Sequence, residues 1–240
     1  MTYAELFAFA SEHGLELNPD LEAKFHRYAE LLTEWNEKMN LTSITEESEV
    51  IEKHFLDSLT PAFATSFAGK SVADMGSGAG FPGMVFALAF PSCHVTLMDA
   101  TKKKFLFLEE LKKELELNNV RFYVGRVEEA KTLRESFDIV TARGFAATRI
   151  LLEVGAPLVK VNGTVIAMKG PRGEEELHEA LGTEQRLALH LRKKEELVMP
   201  SGEKRINYFF EKIHPTKPCY PRSWADIQKK ASLREFTKKE

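Results

Sequence analysis

The chain has 240 residues, a formal net charge of −3, 43% hydrophobic and 29% charged residues. That length supports one large α/β domain with an appendage, or two small domains, and the composition excludes a disordered or fibrous chain. Residues 84–90 form the longest apolar run, too short for a bilayer, and residues 1–10 lack a secretory signal's basic and apolar segments, so a cytoplasmic protein with no membrane partner is expected.

Charge is unevenly spread. Residues 1–60 carry 13 acids against 4 Lys/Arg, whereas residues 214–240 carry 7 Lys/Arg against 3 acids. On this pattern a polyanion would be met late in the chain; a solvated tail with no partner is the plainer alternative. Cys93 and Cys219 form no CxxC and no Cys/His cluster, so no metal site and no disulfide framework is expected.

The first 70 residues read as helices. Residues 3–13, closed by Gly14, form a short one. Asn18-Pro19 starts a second, in which Leu21, Phe25, Tyr28, Leu31, Leu32, Trp35 and Met39 share one face. Residues 46–57 and 61–67 also read as helical.

The pattern changes at Ser71. Strands are predicted at 72–75, 94–98, 120–124, 137–141 and 164–168, with helices at 101–117, 127–132, 146–159 and 174–189. Short apolar strands alternating with helices imply a parallel sheet covered on both faces. Residues 195–198 and 206–213, flanking Pro200-Ser201-Gly202, read as a closing antiparallel pair. The expected architecture is α/β: a seven-stranded, mostly parallel sheet. The expected divisions are an N-terminal helical extension over 1–68, a sheet domain over 69–214 and a basic tail over 215–240.

The informative stretch is Asp74-Met75-Gly76-Ser77-Gly78-Ala79-Gly80-Phe81-Pro82-Gly83, where a strand runs into glycines and a helix begins. Gly78-x-Gly80-x-x-Gly83 formally matches the dinucleotide fingerprint, but out of register, because that fingerprint opens directly after the strand. Charge separates the two readings. A carboxylate at Asp74 beside the glycines would repel a pyrophosphate. S-adenosyl-L-methionine has no phosphate and carries an ammonium that an acid can accept from, so acid-x-Gly-x-Gly-x-Gly suits it better.

Asp99 ends the second strand, where an acid holds ribose hydroxyls; a helix N-cap is the alternative. Val127-Glu128 follows the third strand, either reaching an adenine edge or complementing a helix dipole. Arg143 leaves the fourth strand and Lys169 ends the fifth at the same sheet edge, as functional groups or as surface ion pairs. No Asn/Asp-Pro-Pro-Tyr/Phe follows the fourth strand, against exocyclic-amine methylation. No Cys lies near the fourth or fifth strand exit, against covalent C5-pyrimidine chemistry.

Between residues 31 and 217 the chain resembles the bacterial small-subunit ribosomal RNA (guanine-N7) methyltransferase family, RsmG or GidB. The resemblance is carried by Trp35-Asn36, Asn40-Leu41-Thr42-Ser43-Ile44, His54-Phe55-Leu56-Asp57-Ser58-Leu59, the run from Asp74 to Gly83, Thr141-Ala142-Arg143 and Met168-Lys169-Gly170. It implies a Rossmann-like class I methyltransferase fold and methylation of guanine N7 in the 530 loop of 16S rRNA. It further implies that Gly76 and Phe81 contact the cofactor, that Asp99, Ala100 and Thr101 lie along ribose and adenine, that Val127 and Glu128 contact adenine, and that Arg143 sits in the active site. With Asp74, Gly78 and Gly80 these, Arg143 included, are the expected cofactor-binding residues, and Arg143 and Lys169 are the expected catalytic residues. The tail departs from the family: Ser223-Trp224-Ala225-Asp226 replaces a Gly/Pro-rich link, with Lys229-Lys230 restoring a basic ending.

Guanine N7 has a free lone pair, so no general base is required, and the protein's share is orientation and exclusion of water. His54 reads either as pocket wall or as a hydrogen-bonded structural histidine. Lys102, Lys103 and Lys104 read either as phosphate contacts or as a solvated helix face. A monomer is expected. The alternatives are another methyltransferase acting on RNA or a small molecule, and a non-catalytic cofactor-binding regulator.

Overall fold

Short apolar strands that must bury both faces assemble here into one sheet. The computed structural model describes residues 1–229. The strands are β1 (Ser71–Met75), β2 (His94–Asp99), β3 (Val120–Val124), β4 (Phe137–Arg143), β5 (Val159–Lys169), β6 (Leu189–Val198) and β7 (Lys204–Lys212). Their order is β3-β2-β1-β4-β5-β7-β6, with β7 alone running opposite to the other six. The order reverses between β1 and β4, so the carboxyl ends of those strands frame the crevice where such sheets take ligands.

The helices are α1 (Tyr3–Glu12), α2 (Leu21–Asn36), α3 (Glu47–Val50), α4 (Asp57–Leu59), α5 (Gly83–Ala89), α6 (Lys102–Glu114), α7 (Thr148–Gly155), α8 (Gly173–Glu179), α9 (Thr183–Arg186) and α10 (Trp224–Gln228). Among the described residues, no helix is long and apolar enough to cross a membrane.

Strand side chains alternate between two apolar cores, as the period of two requires. Val72, Leu97, Ile139 and Ile166 face a layer built from α1, α2, α5 and α6, with Phe25, Tyr28, Phe86 and Phe107 fully buried in it. Ala73, Met75, Met98 and Val140 face the opposite layer, with Leu151, Leu152 and Phe210. The N-terminal helices therefore share a core with the sheet.

Several segments differ from expectation; residues 61–67, for one, hold a 3₁₀ turn at Thr60–Phe63 instead of a helix. Residues 46–57 are not one regular helix: α3 leads into a π-helical turn at Ile51–Leu56, then α4. That wide turn leaves carbonyls free for outside donors, and Arg143 takes two of them. Residues 127–132 make two 3₁₀ turns, Val127–Glu129 and Lys131–Leu133, rather than a helix. The predicted helix over 174–189 is split by Gly182, whose φ is 77°. Strand β6 is longer than the pattern showed, because an edge strand exposes charges such as Lys193 and Lys194 where a buried strand would place apolar residues.

The tail is tied down by carbonyl and carboxylate contacts. Arg134 donates to the carbonyls of Tyr220 (2.9 Å), Lys217 (3.1 Å) and Thr216. Arg222 grips both oxygens of buried Glu153, each at 2.7 Å. Of the expected basic ending, Lys229 is described and pairs with Asp226, whereas Lys230 lies outside the described residues.

Candidate functional site

Backbone geometry at the end of β1 builds the glycine turn. Gly76 and Ser77 donate to the Met98 carbonyl at 2.7 and 3.1 Å, and Ser77 Oγ accepts from Met98 N at 3.0 Å. The turn is thereby fixed to the end of β2. Gly76 adopts φ 71°, a conformation that side-chain-bearing residues rarely take, and a Cβ there would come within 2.6 Å of Phe145.

The expected residues fall into three sets. Gly76, Asp99, Ala100, Val127 and Glu128 line one cleft of about 310 Å³, joined by Lys104, Arg126, Gly144, Phe145 and Trp224. Asp99 is its organising acid: Oδ1 accepts from Thr101 N at 2.8 Å, and Oδ2 accepts from Gly78 N at 3.1 Å and Lys104 Nζ at 3.0 Å. Burial opposes the Asp99 charge, but the Thr101 N–H and the Lys104 ammonium outweigh it and hold the group below the usual carboxylate range. Glu128 carries a buried Oε1 with no hydrogen-bond partner; the nearest cation, Arg126 Nη1, is 3.5 Å away. An orphaned acceptor facing a cleft is a place for a ligand's donor.

The second set lies behind the turn. Asp74 is fully buried, and its Oδ2 accepts from Gly83 N, the first amide of α5, at 3.0 Å. Burial drives this carboxyl up to about 7, against the Gly83 N–H and the Arg143 charge. Its side chain follows Val72 onto the helical layer and away from the cleft. Gly80 meets that layer too: a Cβ would lie 2.5 Å from Tyr28 Oη. Tyr28 in turn donates to the Ala79 carbonyl at 2.7 Å. Phe81 is stacked between Tyr28 (5.0 Å) and His54 (4.4 Å).

The third set is Arg143 and Lys169, which line a second cleft of about 450 Å³ with Lys53, His54, Asp57, Gly144, Met168, Gly170 and Arg205. Gly144 borders both clefts. Arg143 lies 5.3 Å over the Phe81 ring and donates to the Lys53 carbonyl (2.8 Å), Asp57 Oδ2 (3.0 Å) and His54 Nδ1 (3.2 Å). Asp57 Oδ1 accepts from Arg205 Nε at 3.1 Å. Lys169 donates to the Ala146 carbonyl (2.6 Å) and Glu176 (2.7 Å).

The family sequence profile described as "GidB: rRNA small subunit methyltransferase G" matches residues 21–208. The chain belongs to this family. A relative from Geobacillus sp. (strain WCH70), named "Ribosomal RNA small subunit methyltransferase G", is 43% identical over 92% of this chain and 95% of its own length. The protein of that name from Bacillus subtilis (strain 168) is 40% identical over the same shares, 92% and 95%. Among solved structures, "Crystal structure of M. jannaschii TYW2 in complex with AdoMet" aligns with a TM-score of 0.52 and 19% identity over 65% of this chain and 75% of that one, a likeness of fold.

In this methyltransferase G family member, motifs far apart in sequence meet around Arg143. Asn36 Oδ1 accepts from the amides of Leu41 and Thr42, which fixes the Asn-Leu-Thr segment. Thr42 Oγ1 then lies 3.0 Å from His54 Nε2. Because Arg143 donates to Nδ1, the neutral tautomer with Nε2–H facing Thr42 is assigned to His54. Burial, and then the Arg143 charge, push His54 down to about 3.

The sign of the resulting pH effect is fixed. The unfolded chain protonates His54 near 6.5 and the fold does not, so stability from this site is complete above 6.5 and is lost as pH falls towards 3. Urea midpoints at pH 7.5 and 5.0 are expected to fall further for the wild type than for His54→Gln; equal falls would contradict it. Arg205 and Phe145 escaped the sequence reading, and Trp224 entered it only as part of the divergent tail. Phe145, two residues beyond a functional strand end, had a positional signal; Arg205 had none.

Proposed function

We propose that this chain transfers a methyl group from S-adenosyl-L-methionine to N7 of a guanine in 16S ribosomal RNA, in the 530 loop of the small subunit or its precursor, acting in the cytoplasm as a monomer. As a member of its family it is an rRNA methyltransferase.

The observation that carries the cofactor reading is the filled position at the start of α5. In dinucleotide enzymes the first amide after the glycine turn faces a pyrophosphate. Here Gly83 N already donates to the chain's own Asp74, behind the turn, and the cleft wall carries carboxylates of its own, Asp99 and Glu128. That amide is therefore not free for a phosphate, and the cleft's carboxylates are acceptors for hydroxyls and amines. Asp99 is suited to ribose hydroxyls, the orphaned Glu128 oxygen to an adenine amine, and the side-chain-free Gly76 to close approach. Asp74, Gly78, Gly80, Phe81 and Thr101 then serve by holding the turn and Asp99 in shape.

The bound cofactor supplies an electrophilic methyl on its sulfonium. The chain's residues supply position. Gly144 borders both clefts, so a base held in the second can face a nucleoside held in the first. Guanine N7 presents its lone pair without a base, so the cations of the second cleft need only hold and orient it. Arg143 is placed to orient the guanine, with Lys53, Arg205 and Lys169 favouring its phosphates once it leaves its stack.

Calorimetric titration with S-adenosylhomocysteine and with NAD tests the cofactor reading. Saturable binding of the first alone is expected. Binding of NAD without S-adenosylhomocysteine would overturn it.

A further inference from the structure

The C-terminal segment carries an aromatic side chain back to the nucleoside cleft. The chain has two tryptophans. Trp35 sits in α2 with its ring 6.0 Å from Phe107, in the helical layer. Trp224 opens α10 and lines the same cleft as Gly76, Asp99, Val127 and Glu128.

Its position is set from both sides. Before it, Arg222 is locked to buried Glu153 at 2.7 Å. After it, Ile227 is fully buried and its carbonyl accepts from Arg149 Nη1 at 2.7 Å. Ser223 Oγ caps α10 by accepting from Asp226 N at 3.3 Å. A half-buried indole fixed at these three points is not a loose surface group. The cleft's other aromatic, Phe145, is packed against the Gly76 turn. Most of the remaining wall is backbone, carboxylate and cation, which can bond the edges of a nucleoside but offers little to the face of its base.

We propose that Trp224 is a cofactor-contacting residue: its indole supplies the apolar wall for the base of the adenosyl group, so that the tail segment completes the cofactor site. The proposal rests on the cofactor reading above. Aromatic contact with a base is commonly worth a five- to hundredfold change in affinity when removed, and about tenfold is expected at a half-buried site.

The test uses the full chain and S-adenosylhomocysteine, without RNA. In Trp35→Phe, Trp224 is the sole tryptophan, and its fluorescence is expected to change saturably on titration. By calorimetry, Trp224→Ala is expected to bind about tenfold more weakly than wild type, with Tm and circular dichroism retained. Trp224→Phe, which keeps an aromatic face, is expected to stay within about threefold. Unchanged affinity in Trp224→Ala, with or without a fluorescence response in Trp35→Phe, overturns the proposal while leaving the cofactor reading intact. Absence of binding by the wild type defeats both.

Discussion

Arg143→Ala is expected to lower the rate of methyl transfer by about two to three orders of magnitude, the range seen when one preorganised donor is removed from an active site. Affinity for S-adenosylhomocysteine should stay within about threefold, because the nucleoside cleft is lined by other residues. The effect combines two losses. Arg143 faces the cleft where the guanine is proposed to sit. It also bridges the sheet to the π-helical turn through the Lys53 carbonyl and Asp57. Asp57 keeps Arg205 as a partner, so the fold should survive with a loss of about 2 kcal/mol. Arg143→Lys should recover little, since one ammonium cannot reach a carbonyl, a carboxylate and an imidazole from above a ring. Single-turnover kinetics with small subunits, beside cofactor calorimetry, checks this. Wild-type turnover in Arg143→Ala would remove the residue from the reaction.

Gly83→Ala should be strongly destabilising, and for a reason that has nothing to do with backbone strain. Gly83 begins α5 with an ordinary helical backbone, so alanine would be conformationally welcome there. The obstacle is space. A Cβ would stand 2.2 Å from Leu97 Cδ2, 2.8 Å from Asp74 Oδ2 and 2.9 Å from Asp74 Cβ. None of these can retreat freely, because Leu97 and Asp74 are fully buried on paired strands. Overpacking of this kind costs about 3 kcal/mol, or a fall in Tm of about 6–12 °C in a chain of this size. Gly78→Ala is the control. Its φ is 57° but its nearest neighbour is 3.8 Å away, so only the backbone penalty of about 1–2 kcal/mol applies. If Gly78→Ala proved the more harmful in thermal unfolding, the packing account of Gly83 would be wrong.

The strands were legible wherever both faces are buried, since β1, β2 and β4 are short apolar runs. Of β6 only the end, residues 195–198, was legible, because the charges before it are those of an edge. Nor can periodicity distinguish a π-helical turn from an α-helix: His54 and Asp57 lie on the same apolar stripe in either case. Within the site, the strand-end rule located Asp99 and the Val127-Glu128 pair, which stand at the cleft. It also pointed to Asp74 as an acceptor for the ligand's amine; Asp74 Oδ2 is taken by Gly83 N, while its buried Oδ1 has no hydrogen-bond partner. Val72 and Asp74 share one face of β1, and that face meets the helices. Tyr28, read as one more apolar residue of a stripe, is also the hydroxyl that holds the Ala79 carbonyl. Trp224 and Arg205 reach the clefts only through tertiary folding, and no spacing in the sequence brings them near Asp99 or Asp57.

The proposed function puts one methyl group on N7 of a single ribosomal guanine. Small subunits from cells lacking the gene, incubated with the purified protein and S-adenosyl-L-methionine, should gain N7-methylguanine in 16S RNA. Reduction and aniline treatment should then cleave the RNA at a single new position, in the 530 loop. No new cleavage, or methyl groups appearing on another atom or another RNA, would contradict it.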